Sequence, residues 1–339
     1  MPPTLRRALW ILAALLVTLA ALDWEAGALL RPRVVVNGRP GGLVVRDPLL
    51  GFAPRPASVV RVELGAPDRP VYRAVYTIDP GGFRLTRGSA EPGADTAVFL
   101  GDSYTFGDGL NDPDTLPQQY SAARGYRDRV VDAAFSGYGA HQVLRLLQSD
   151  RLDGRLGGGR RTFIYPVIEE HVRRIEGRAS WDWWGTPRYR LEGGGVRYAG
   201  RFHQDLLGRL QAPWWTSALG MALGNNGMLE PRPESTALFG AMVQASRRIA
   251  RDRFGADFVV VLWDEPILRD AHDPGRARRR VAMVERIAAE LTRRGVRFWR
   301  VSQLVPDYPA RMAAYVIPSN GHPSALMNRR LAAALAARL

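Results

Sequence analysis

A chain with five histidines and no cysteine has a short menu for covalent chemistry. Without thiols there is no disulfide, no cysteine nucleophile and no thiolate-held metal. What remains is a hydroxyl. Ser103 stands in "GDSYTFGDG" (101–109), directly after the apolar run "TAVFL", which reads as a β-strand. Two readings of that turn are open. Glycine and aspartate can simply end the strand, or the turn can hold Ser103 up as a nucleophile.

A serine hydroxyl attacks only when a base takes its proton and another group orients that base. Among His141, His171, His203, His272 and His322, the last has the most suggestive surroundings. It lies in "IPSNGHPSALMNRR", after a last strand and before a last helix, on a loop that can carry the ring over the strand ends towards Ser103. Asn320, two residues earlier, can accept from the ring Nδ1–H and fix the tautomer. The backbone N–H groups of Ser103 and of Gly137, in "FSGYGA", are the candidate oxyanion donors. The competing reading of His322 is a neighbour of a helix N-terminus. His171 is either a donor or second base, or a structural histidine paired with Glu169 and Glu170. Asp102 reads as a brace for the turn, His141 as a cap or core residue at a helix start, and His203 and His272 as surface residues. No His/Asp/Glu spacing compels a metal, and no motif calls for a cofactor.

These groups need strand ends to hold them. From residue 96 onward, apolar strand-like runs alternate with amphipathic stretches. The runs are 96–100, 129–135, 162–168, 257–263 and 296–301; the helical stretches cover 139–151, 235–255, 274–295 and the closing "PSALMNRRLAAALAARL". Continuous apolar strands separated by helices predict a three-layer α/β domain, a parallel sheet with helices on both faces. In such sheets the active crevice lies beyond the strand C-termini, where Ser103, the 132–139 turn and 169–171 all fall. An insertion at about 176–234 interrupts the alternation. It carries a hairpin-like "YRLEGGGVRYAG" and five of the nine tryptophans: Trp181, Trp183, Trp184, Trp214 and Trp215. These form either a platform for sugar rings or acyl chains, or ordinary packing against the sheet or a membrane interface.

Ahead of that domain, residues 31–95 show short alternating runs and the turns "NGRPGG" and "DPGG", which predict a small β-rich appendage. Residues 1–30 begin with "MPPTLRR" and the uncharged run Ala8 to Leu22. Basic residues before an apolar core fit a signal anchor or a signal peptide, with "AGA" at 26–28 a cleavage candidate; the uncleaved anchor is preferred here. Arg6 and Arg7 would stay cytoplasmic, placing the remainder on the extracytoplasmic side. The net charge of +14 comes entirely from arginine, for the chain contains no lysine. That pattern reads as compositional bias, or as attraction to anionic partners. The arginines are scattered and no nucleic-acid-binding motif is present, so nucleic acid is not an expected partner.

With these blocks in view, the chain resembles the SGNH/GDSL hydrolase superfamily over roughly 96–339, in an exported bacterial branch. "GDSYTFGDG" is similar to its first block, "VVDAAFSGYGAHQ" to its second and "SNGHP" to its last, in the expected order. The resemblance implies a flavodoxin-like sheet, Ser103 as nucleophile, His322 as base and Gly137 as oxyanion glycine. It also implies departures. Asp132 stands for the second-block asparagine and Ala134 for a glycine. Glu170 falls at the third-block asparagine, where an ionised carboxylate accepts but cannot donate. Asn320 stands where an aspartate usually orients the histidine. The expected activity is hydrolysis of ester-linked acyl groups, acetyl above all, on envelope or extracellular glycans or small esters. Transfer of acetyl to a polysaccharide, and a weakly active or inactive glycan-binding protein of the same fold, are the alternatives.

Overall fold

A computed structural model describes residues 2–30, 34–37, 42–66, 69–178, 184–206, 209–210, 217, 230–264 and 274–339. Trp181, Trp183, Trp214, Trp215 and His272 lie outside the described residues.

The chain opens with helix α1 (Pro3–Leu30), followed by strands β1 (Val34–Asn37), β2 (Val44–Asp47), β3 (Gly51–Pro54), β4 (Ser58–Ala66) and β5 (Arg69–Ile78). Five further strands make the central sheet: β6 (Thr96–Phe99), β7 (Arg129–Asp132), β8 (Arg161–Val167), β11 (Asp257–Leu262) and β12 (Phe298–Arg300). A hairpin, β9 (Pro187–Glu192) and β10 (Gly195–Arg201), precedes β11 in the insertion. The central order is β12-β11-β8-β6-β7, every pair parallel. This is the flavodoxin-like arrangement, in which the chain runs from β6 to one neighbour and then crosses to build outward on the other side.

Period-two side-chain alternation divides the core between the two faces. Val98, Phe163, Tyr165, Val260 and Leu262 pack towards helices α4 (Ala140–Leu147), α6 (Ser235–Phe254) and α7 (Pro274–Arg293). Ala97, Phe99, Ile164, Val259 and Val261 pack towards α3 (Leu116–Ala123) and the last long helix, α8 (Ala325–Ala336). Buried residues of this size stabilise by about 1.5–3 kcal/mol each relative to exposure, so the two layers fix the sheet firmly. The helices stop where glycine or a hydroxyl allows. Gly255 closes α6 in the left-handed conformation, and the Ser324 hydroxyl accepts from Met327 N–H to start α8.

Two details differ from the sequence pattern. The run 129–135 is a strand only to Asp132, where Asp132 Oδ1 accepts the Ala134 N–H at 3.2 Å and turns the chain. Strand β3, which pairs antiparallel with β2, carries Gly51 and Pro54 and has no alternating signature.

The β-rich segment is joined to the α/β unit through a common core. β1, β4 and β5 form an antiparallel sheet, and Val60, Val62, Ala74, Tyr76 and Ile78 belong to the same buried cluster as Phe106, Phe135 and Tyr138. Arg84 pairs in β fashion with Ile78 on one side and Asp132 on the other, linking the hairpin to the β7 edge. Over Pro3–Glu25 α1 is long and apolar enough to cross a bilayer, and that stretch is exposed apart from the half-buried Asp23.

Candidate active site

The turn that carries Ser103 is built by backbone constraints. β6 ends at Phe99, and Gly101 takes a φ of 129°, where a Cβ would lie 2.8 Å from Thr105 Oγ1 and 3.2 Å from the Pro166 carbonyl. Only glycine fits there. Asp102 then caps the short helix α2 (Ser103–Phe106): its Oδ1 accepts the Tyr104 N–H at 3.1 Å, and Gly107, at φ 86°, ends the helix. Ser103 is the first residue of α2 and is 7% exposed.

His322 arrives on a tight loop. The Ile317 N–H donates to His322 O at 2.8 Å, and the Asn320 and Gly321 N–H groups both donate to Ile317 O. Ser319 and Gly321 both adopt positive φ. This geometry sets the ring across the top of the sheet, with Ser103 Oγ 2.9 Å from His322 Nε2. Asn320 Oδ1 accepts the ring Nδ1–H and also the backbone N–H of His322, the latter at 3.2 Å. Nδ1 therefore carries the proton and Nε2 is free to accept the one on Ser103, the tautomer a general base requires. The Tyr104 ring lies 5.3 Å from the imidazole, centroid to centroid. Among the described residues, no hydrogen bond uses the N–H of Ser103 or of Gly137. Gly137 sits at φ 84° in the turn closed by Tyr138 N–H to Phe135 O.

Beneath Ser103 lies a buried polar cluster. Arg174 Nη1 donates to Asp102 Oδ2 and to Tyr138 O, each at 2.7 Å. His171 Nε2 is 3.2 Å from the same Asp102 oxygen, and its Nδ1 is 2.9 Å from the Tyr165 hydroxyl. Burial raises the Asp102 carboxyl, but Arg174 and His171 outweigh it and hold the group well below the usual carboxylate range. Burial also lowers His171, more than Asp102 raises it. His171 is thus a neutral buried brace for the residue that caps the nucleophile helix. His141 is fully buried too, and burial takes it down to about 3.

Glu170, which the resemblance sets at the third-block position, is half-buried. It opens helix α5 (Glu170–Arg174) and pairs with Arg173, 3.2 Å away on the same helix. Glu169 is the buried carboxylate; it is bound by Arg280 from α7 and acts electrostatically on Tyr104. Asp132 is fully buried; Oδ1 accepts from Ala134, Oδ2 has no partner, and burial pushes the carboxyl up to about 8. Burial therefore favours the protonated form of this carboxyl. Trp184 is half-buried beside the core and lies under the Arg46 guanidinium. Among the described residues no group of three or more His, Asp or Glu side chains is arranged to hold a metal ion.

One positioning residue escaped the sequence reading. Arg84 is 1% exposed and sandwiched between the Tyr76 and Phe106 rings, 4.3 and 4.8 Å from their centroids. Its guanidinium donates to the carbonyls of Phe106, Gly107 and Leu110, and to Asp112 at 3.0 Å. It clamps the segment that leaves the nucleophile helix.

No family model and no curated protein matches the sequence. Solved structures are similar to it at low identity. A lipolytic protein of the G-D-S-L family from Veillonella parvula is 10% identical, covering 71% of this chain and 96% of its own, with a TM-score of 0.41. An acetylxylan esterase from Geobacillus stearothermophilus is 11% identical over 74% of this chain and 94% of its own, TM-score 0.40. An aryl esterase from M. smegmatis is 14% identical over 72% and 98%, TM-score 0.38.

Proposed function

We propose that the chain is a serine esterase of the SGNH type. The observation that carries this reading is the hydrogen-bonded series Ser103–His322–Asn320 at the C-terminal edge of a parallel sheet. His322 Nε2 takes the Ser103 proton as Oγ attacks the ester carbonyl carbon. The oxyanion is held by the N–H groups of Ser103 and Gly137. Collapse expels the alcohol, which leaves with the proton from Nε2. Water then gives a proton to Nε2 and attacks the acyl-serine; the acid departs and Ser103 recovers its hydrogen. Full-length protein in detergent should turn over p-nitrophenyl acetate and label at Ser103 with a fluorophosphonate. Absence of labelling at high probe concentration ends the covalent mechanism.

The substrate class follows from where the chain would work. An apolar N-terminal helix behind Arg6 and Arg7 supports a membrane-anchored protein with its α/β domain on the extracytoplasmic side. O-acyl groups of an envelope glycan, acetyl in particular, are the esters found there in the reading we favour. Acetate release from an O-acetylated polysaccharide, compared with de-acetylated material, tests it; acyl-glycan formed from an activated ester would assign transfer instead.

A further inference from the structure

Two ion pairs repeat one pattern where the β-rich segment meets the α/β unit. Asp47, at the end of β2, accepts the Leu49 and Leu50 N–H groups on Oδ1, at 2.9 and 2.8 Å, and Arg151 Nη2 on Oδ2 at 2.5 Å. Asp79, just after β5, accepts the Gly81 and Phe83 N–H groups on Oδ1, at 2.8 and 3.0 Å, and Arg155 Nη1 on Oδ2 at 2.7 Å. Each carboxylate thus ties a tight turn to one arginine. The rest of each guanidinium is unspent. Among the described residues, Nε and Nη1 of Arg151 and Nε and Nη2 of Arg155 make no hydrogen bond.

Both arginines line one cavity of 330 Å³, a size within the roughly 300–1,000 Å³ of small-molecule sites. Its walls are largely aliphatic, and Leu50, Ala53, Ala133, Ala134 and Leu146 are each buried there. The two rings in the lining are already engaged. Arg155 lies over Phe83, 4.3 Å from its centroid. Tyr138 packs edge-on against Phe52 and Phe135 and donates its hydroxyl to Phe52 O at 3.1 Å. A sugar ring would find neither an open aromatic platform nor a spare hydroxyl among these residues. Gly81 makes room for the cation, since a Cβ there would lie 1.5 Å from Arg155 Nη2. The cavity lies apart from Ser103, Asn320 and His322, although Ala133 and Ala134 lead into the turn that carries Gly137.

We propose that this cavity binds a free carboxylic acid with a short to medium aliphatic chain, its carboxylate taken by the unspent guanidinium donors and its chain by the apolar wall. The open hydrogen-bonding capacity of Arg151 and Arg155 consists of donors alone, and a guanidinium fork matches a carboxylate in shape as well as charge. Asp47 and Asp79 offset the two cations, so these donors, rather than an excess of positive charge, carry recognition. The aliphatic wall selects the acyl chain, because each buried CH₂ adds to binding whereas a polar body would lose its water there without replacement. The site stands or falls independently of the esterase reading.

Titration calorimetry on full-length protein in lipid nanodiscs, with empty discs as the blank, tests it with butyrate, hexanoate and octanoate. Affinity should rise about threefold to fourfold for each added CH₂. Hexanamide lacks the charge and glucuronate lacks the apolar chain, so each should bind at least about tenfold more weakly than hexanoate. Val45→Phe fills the cavity from β2 and leaves both ion pairs in place; it should weaken octanoate by about tenfold or more. Arg155→Gln should weaken it by a similar factor, and if one variant does not fold the other decides. Ser103→Ala should bind octanoate as the parent does. Affinity indifferent to chain length, hexanamide or glucuronate matching hexanoate, or octanoate binding unchanged in a folded variant of the cavity overturns the proposal. So does loss of binding in Ser103→Ala, which would put the acid at the ester site. Ester turnover in a protein that fails these tests would leave the esterase reading intact.

Discussion

Arg174 and Asp102 form a buried ion pair, Nη1 to Oδ2 at 2.7 Å, directly beneath Ser103. The residue that caps the nucleophile helix is therefore held in turn by a helix 72 positions later in the chain. Its neutral neighbour His171 closes the cluster without adding a charge.

Arg174→Met should strand a buried carboxylate, and breaking such a pair costs about 3–5 kcal/mol. Because Asp102 is depressed in the fold, its favourable contribution is present at neutral pH and is lost as pH falls through its folded value. Chemical unfolding at pH 7 and at pH 3 should show a large deficit at the first and a smaller one at the second. Equal deficits at both would remove the electrostatic account.

Asp132 predicts the opposite dependence. Its carboxyl is raised to about 8, so the fold keeps a proton that the unfolded chain has already released. Stability from this group falls as pH rises from the ordinary carboxylate range towards 8. Asp132→Asn should be more stable than the parent at pH 8.5, by a few kcal/mol on the order expected for a shift of this size. Near pH 4 the advantage should disappear, as urea denaturation at the two pH values will report.

Asn320 fixes the tautomer of the base through one oxygen that accepts from both the ring and the backbone of His322. Asn320→Ala should lower kcat by roughly 10²–10⁴-fold, the range lost when a histidine is misoriented, with KM little changed. Asn320→Asp should move the acid limb of the kcat/KM profile to higher pH, because a new carboxylate favours the charged ring. A profile that stays in place argues that Asn320 does not set the base.

Arg84→Lys removes a planar fork that no ammonium can imitate. The Phe106, Gly107 and Leu110 carbonyls lose their common donor, and the two aromatic rings lose the flat cation between them. A thermal midpoint unchanged by this conservative replacement would contradict the clamp. We expect destabilisation by about 3 kcal/mol or more and a lower kcat, since the clamped segment follows Ser103.

Ser103, Asn320 and His322 were legible in the sequence because each lies in a short block at a strand end, where turn residues and strand context combine. The parallel sheet was legible for a related reason: apolar runs of β length alternate with helical periodicity. Arg174 and Arg84 were hidden. Their partners are set by tertiary folding, and a local window containing "HVRR" or "GGFRL" holds nothing to distinguish a buried clamp from a surface arginine. Glu169 and Glu170 show the finest limit. The start of α5 decides which of two adjacent acids turns inward, and a one-residue phase error in a helix start reverses the answer. Strand β3 was missed because glycine and proline mask its pairing with β2.

The clamp by Arg84 also says how the molecule must come apart. Its backbone pairs with both Ile78 and Asp132, and its side chain grips the exit of the nucleophile helix. The early antiparallel strands and the catalytic turn consequently share one opening reaction. Amide hydrogens of Val60 to Leu64, of Tyr72 to Tyr76 and of Val98 to Phe106 should exchange with solvent at a common free energy, as one cooperative foldon. A chain begun at residue 96 would possess Ser103, Asn320 and His322 and no stable place to hold them.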